Sequence, residues 1–172
     1  MTLGDDLVER YSRQILLPEV GGRGQEQLCA TRAAVAGSDG AAAFAATLLA
    51  AAGVQVECRT GEAGTISGTV PGRGVVLARI GRSTGIVVTL VGHPCTRCVP
   101  AAVWPGDAAS GPAGERAEPA QAVGALVAAE GLRVALGLAA SGRVQTLDLG
   151  RGTFGGRHVP ASDGCDACPR RG

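Results

Sequence analysis

The sequence predicts an α/β fold in a single domain, with one parallel strand–helix–strand unit near the start and a β-rich region after it. Three observations predict this. A short apolar run at 32–36 stops at Gly37, an Ala-rich stretch follows from Ala41 to Ala52, and Val54 to Arg59 alternates apolar and polar. Beyond Thr60 the apolar residues recur every second position, with turn residues between the runs. A chain of 172 residues suits one domain that can bury its own core.

Taken in order, residues 1–31 read as N-terminal helices. Asp5 or Asp6 can cap the first, and Leu7, Tyr11 and Ile15 fall on one face at i, i+4, i+8. Pro18 and Gly21–Gly22 end it, and a short polar helix is expected around Gln25 to Cys29. Residues 32–59 form the strand–helix–strand unit, its helix closed by Gly53 and its crossover expected to be right-handed. Residues 60–172 form the β-rich part. There Thr65 to Val70 and Val75 to Arg79 make a hairpin around Pro71–Gly72–Arg73–Gly74. Ile86 to Leu90 is a further strand, and 105–118 reads as a loop rich in Gly, Pro, Ala and Asp. A helix is expected over about 119–136, with Pro119 at its first position and Gly137 after its end. Val144 to Leu149 and Phe154 to Val159 complete the strands.

Composition narrows the function. The formal charge is +1 with both signs interspersed, which gives neither a nucleic-acid stripe nor a basic membrane face. The only aromatics are Tyr11, Phe44, Trp104 and Phe154, so the core must be built from Ala, Val and Leu. Such side chains bury little area each, at roughly 25 cal/mol per Å². The N-terminus is acidic and has no uninterrupted apolar run, so no signal peptide is expected. Ala41 to Ala52 is too short to span a bilayer. A cytoplasmic location follows, where paired cysteines are more often metal ligands than disulfides.

Two CxxC pairs, HPCTRC and DGCDAC, are separated by 66 residues. Zinc takes four ligands in a tetrahedron, and each CxxC turn offers two thiolates. Neither pair sits between a strand and a helix start as a redox motif would. Cys95, Cys98, Cys165 and Cys168 are therefore expected to hold one structural zinc, closed to substrate. Cys29 and Cys58 are left over; either could be a thioester nucleophile, but the plainer reading is a small buried hydrophobe. His93 and His158 lie near the cysteines in sequence, but four sulfurs already complete a metal site.

The segment GSDGAA between the first strand and the Ala-rich helix suggests a truncated Rossmann-like unit. A phosphate cradle of that kind wants glycines at three places. Here they are filled by Gly37, Asp39 and Ala42, with Gly40 adding one flexible residue. A carboxylate at Asp39 repels phosphate, and Asp39 reads more simply as the helix cap. Glu57 lies 20 residues past Gly37, where a ribose ligand would stand. Glu57 and Glu62 also read as solvated carboxylates.

The surroundings of that turn are more specific. The runs RYSRQILLPEVGGRGQEQL (Arg10 to Leu28) and AAVAGSDGAAAFAATLLAAAGV (Ala33 to Val54) resemble the ThiF/MoeB/HesA family, bacterial relatives of ubiquitin-activating enzymes. PCTRC, VGALVAAEGLRVALG (Val123 to Gly137) and the terminal GCDAC resemble it too, in the family's order. The resemblance implies a homodimer and a four-cysteine zinc site at Cys95, Cys98, Cys165 and Cys168. It also implies ATP- and magnesium-dependent adenylation of a small carrier protein ending in Gly–Gly, with Arg13 reaching the neighbouring subunit's nucleotide. The segment between Gly53 and Pro94 is too short for the family's further strands and phosphate ligands. The chain has no lysine, and the family's magnesium aspartate segment is missing. The expectation is therefore a shortened, non-catalytic member that binds a partner or serves as a scaffold in carrier-protein activation. Arg13, Gly37, Gly40 and Glu57 would remain as a vestigial nucleotide site, and ATP and magnesium are not expected. The alternatives are an active adenylyltransferase with a minimal nucleotide site and a small-molecule binding protein.

Overall fold

The computed structural model describes residues 3–62, 64–104, 117–162 and 164–168. Its core is one mixed sheet of seven strands in the order β2-β1-β3-β4-β5-β6-β7. The strands are β1 (Arg32–Ala36), β2 (Gln55–Arg59), β3 (Thr65–Val70), β4 (Gly74–Ile80), β5 (Thr84–Leu90), β6 (Arg143–Asp148) and β7 (Thr153–His158). Helices α1 (Asp5–Arg10), α2 (Ser12–Ile15) and α3 (Gly21–Ala30) precede the sheet. Helix α4 (Gly40–Ala51) joins β1 to β2, and α5 (Ala117–Ala135) precedes β6.

β1 and β2 pair in parallel across α4, as the apolar run, Ala-rich stretch and alternating segment predict. Gly53 takes φ +100° just past the helix end, the left-handed conformation that glycine tolerates. Every later pairing is antiparallel, beginning with β3 on the free side of β1. The β-rich region is thus not a separate layer but an extension of the same sheet. Period-two patterning sets each strand's faces without saying which strand lies beside which.

Two helices cover one face of the sheet. Ile66, Val76, Ala78, Ile80 and Val87 point there, against Leu49 of α4 and Val123 and Val127 of α5. The core is largely the expected Ala and Val, but Ile66 and Ile80, which the expectation of Ala, Val and Leu left out, are fully buried within it. Smallness is put to use where α4 meets α5: a Cβ on Gly124 would sit 2.6 Å from the carbonyl oxygen of Ala41. Strand alternation turns Val88, Leu90 and Val144 to the opposite face. There they pack with Val99, Val103, Val159 and Trp104 from two 3-10 turns, Thr96–Cys98 and Ala101–Val103, and from the chain after β7.

Four local expectations need correction. The first helix breaks at Tyr11, whose φ of −103° and ψ of 14° leave the helical region, so α1 and α2 are separate. Its N-cap is Gly4, and Asp5 and Asp6 lie in the first turn, where carboxylates favour the positive end of the helix dipole. The polar helix runs longer than expected, over the whole of Gly21–Ala30. Helix α5 begins at Ala117, which puts Pro119 at its third position; any first-turn residue can dispense with the amide hydrogen that proline lacks. The expected loop at 105–118 therefore shortens, and its residues 105–116 lie outside the described residues. Among the described residues, no helix is long and apolar enough to cross a membrane.

Candidate metal centre

The two CxxC segments arise from distant parts of the chain and meet at one end of β5. β5 delivers the first pair directly, through Gly92, His93 and Pro94. The second follows β7, whose antiparallel pairing with β6 returns the chain to that end. Each segment folds as the same turn. Cys98 N–H donates to the carbonyl of Cys95 at 3.0 Å, and Cys168 N–H donates to that of Cys165 at 3.2 Å. Gly164 holds φ +77° just before the second pair, a conformation costly for residues with a Cβ.

The sulfurs converge. Cys95 Sγ lies 3.8 Å from Cys98 Sγ and 3.7 Å from Cys165 Sγ, and Cys98 Sγ lies 3.5 Å from Cys168 Sγ. All four lie within 4.8 Å of one another. Disulfide bonds need about 2.05 Å, so these are four thiols. A tetrahedron with metal–sulfur bonds of about 2.3 Å has edges near 3.8 Å, and the close pairs match it. The set can hold one metal ion with no open position. The CxxC spacing and its turns made this site legible from sequence.

The thiols differ electrostatically. A backbone hydrogen bond from Ser162, outweighing burial, pulls the Cys98 thiol down to about 6. Burial and hydrogen bonding from the Cys95 sulfur push Cys168 up to about 12. Burial raises Cys95, but hydrogen bonds from Cys168 and from the backbone of Arg97 and Cys98 outweigh it and leave that thiol below its usual value. Backbone groups that stabilise sulfur charge are the outer support a metal–thiolate site needs. Arg97 and Asp166, one from each CxxC segment, form an exposed ion pair at 3.2 Å; such pairs contribute about 0–1 kcal/mol. Ser162 and this ion pair carry no sequence signal, because pairing between such distant parts of the chain appears only in the fold.

The other candidates lie elsewhere. Gly37 and Gly40 flank the N-terminus of α4. Asp39 is the N-cap, its carboxylate accepting from Ala42 N–H at 3.4 Å. Gly37 N–H donates to the carbonyl of Arg59 at 3.2 Å, and the backbone of Gly61 lies against Gly37. Glu57 points from edge strand β2 and pairs with Arg59 at 3.0 Å, which holds its carboxyl below the usual range through hydrogen bonding and charge. Glu62 is exposed. Arg13 is exposed on α2, while the Tyr11 hydroxyl lies by Gly53 at the far end of α4. Twelve residues of helix span about 18 Å, so one chain does not bring Arg13 beside Gly37.

Cys58 is exposed on β2. Cys29 is half-buried beside the amide of Gln25, at 3.6 Å. Neither belongs to the sulfur cluster. His158 engages the carbonyl of Ser141 at 2.8 Å, and neither it nor His93 joins the cluster. Sequence reasoning did not single out Glu130, buried at 2% exposure, which accepts from Thr89 and pairs with Arg133 and Arg143. An isolated glutamate on an apolar helix face gives no sign of such partners. No protein-family model matches the chain, and no curated protein matches it.

Proposed function

We propose that this chain is a shortened relative of the ThiF/MoeB/HesA proteins that binds rather than catalyses, with a structural zinc in its four-thiol site. Zinc is the metal of choice because four thiolates in a closed tetrahedron suit it and leave no position for substrate. The Rossmann-like unit then supplies a rigid support, and the binding partner is a second copy, an active relative or a carrier protein.

The observation that carries the non-catalytic reading is the glycine turn. A phosphate cradle offers free backbone N–H groups. Here Gly37 N–H is given to Arg59, Ala42 N–H to Asp39, and the backbone of Gly61 rests on Gly37. A triphosphate would have to displace these contacts and face the Asp39 carboxylate, with no lysine in the chain to offset it. The test is calorimetric titration with ATP and magnesium, beside ATP–pyrophosphate exchange with carrier proteins ending in Gly–Gly. The expected result is no binding at about millimolar ATP and no exchange, in the unaltered chain and in Asp39→Gly alike. ATP binding that Arg13→Ala abolishes would overturn the reading in favour of a minimal adenylyltransferase.

A further inference from the structure

Several arginines face carboxylates: Arg59 with Glu57, Arg97 with Asp166, Arg133 and Arg143 with Glu130, and Arg151 with Asp148. Arg32 and Arg73 belong with Arg13, Arg23 and Arg157, which have no such carboxylate partner among the described residues, but these two share a cleft. They come from separate elements, the start of β1 and the β3–β4 turn, and line one cleft of about 340 Å³ with Gln27 and Thr31. No carboxylate lines that cleft, and neither guanidinium has an ion-pair partner among the described residues.

The cleft has a firm floor. The Thr31 hydroxyl donates to the carbonyl of Gln27 at 2.7 Å, and the Gln27 amide is tied to the carbonyl of Ala135. The turn is closed by Arg73 N–H on the carbonyl of Val70 at 3.0 Å. A second cleft of about 380 Å³ shares Val70, Pro71 and Arg73 with the first. Val75, Leu90, Gly74 and Gly92 line it further, together with Thr69, Thr96 and Cys95.

Two guanidiniums lining one cleft whose lining holds no carboxylate offer a dianion two positive partners. Their planar forks suit phosphate oxygens. We propose that Arg32 and Arg73 bind the phosphate of a small phosphate monoester whose apolar stem lies in the adjoining cleft. A carboxylate fits less well because it brings one charge to two. The site stands apart from the glycine turn: five strand residues at about 3.3 Å each put Arg32 about 16 Å from Gly37. It therefore goes beyond the function proposed above and stands or falls independently of it.

The test is titration of the metal-loaded full chain with phenyl phosphate, inorganic phosphate and acetate at matched low ionic strength. Phenyl phosphate is expected to bind most tightly, inorganic phosphate next and acetate least. Arg32→Gln and Arg73→Gln should each weaken phenyl phosphate by about tenfold or more, as loss of a charge-assisted hydrogen bond does. Arg157→Gln, on the outer strand β7, should leave it unchanged. Both test residues are exposed, so unaltered melting temperatures will separate lost binding from lost folding. No binding up to about 10 mM phenyl phosphate, acetate binding as tightly, or unchanged affinity in both cleft variants would overturn the proposal.

Discussion

The cysteines stand in unlike surroundings, and that difference governs how the site responds to pH. Without metal, Cys98 favours the thiolate, so its share of stability is present above the ordinary thiol value and is lost as pH falls through about 6. Cys168 runs the other way: it is held protonated, and its share is lost as pH rises towards about 12. A metal ion needs all four sulfurs deprotonated, so it must displace the Cys168 proton while taking the Cys98 thiolate as it stands. Binding at neutral pH is therefore expected to release protons, measurable as a buffer-dependent enthalpy. Acidification to roughly pH 5 should release the metal to a colorimetric chelator. Full retention at that pH would count against this proton competition, and metal analysis showing no zinc and two disulfides would count against the site. The zinc proposed for this site would contribute on the order of 10 kcal/mol of apparent folding free energy. Cys165→Ala is accordingly expected to unfold or aggregate the chain, seen as loss of its cooperative melting transition.

At the scale of elements, the thin core works because helices and strands approach closely. Gly124 allows α5 to lie on the backbone of Ala41, and a Cβ there would meet a carbonyl oxygen that cannot swing aside. Gly124→Ala gains helix propensity but forces α4 and α5 apart, with an expected net loss of about 1–2 kcal/mol. An unchanged denaturation midpoint would show that the helices can separate freely. This contact explains both what the sequence revealed and what it hid. The Ala-rich run announced a helix, and the alternating runs announced strands, because periodicity is local. That β3 would pair with β1, and that Gly124 would face Ala41, are non-local facts on which propensity is silent. The break at Tyr11 was hidden for the same reason. The spacing of Leu7, Tyr11 and Ile15 is helical, but Tyr11 turns inward, buried at 6% exposure with its hydroxyl by Gly53. The convergence of the four cysteines was legible because each CxxC half carries its own turn chemistry. Arg32 and Arg73, 41 positions apart in sequence, carried no such sign.

For the whole molecule, the two ends of the chain have contrasting surfaces. After β7, Val159 packs in the smaller core and Cys165 and Cys168 join the sulfur cluster. The N-terminal helices bury Tyr11 but leave Leu16 81% exposed, Leu17 51% and Val8 44%. Neighbouring apolar side chains left in water favour burial against another surface. Their charges are arranged to allow a second copy to do this: Asp5 and Asp6 stand at the start of α1, and Arg10 and Arg13 follow at its end and on α2. A twofold arrangement that runs one copy's helices against the other's sets acid against base twice, since each contact in such an interface occurs in both directions. The homodimer that the family resemblance implies would then close over Leu16 and Leu17. The expected outcome is a dimer by light scattering at micromolar concentration, shifted to monomer by Leu16→Glu. Because Leu16 is exposed within one chain, the substitution should leave the metal content intact. A monomer in the unaltered protein would remove the dimer, and a dimer that Leu16→Glu leaves unchanged would place the interface elsewhere; either leaves these leucines as surface.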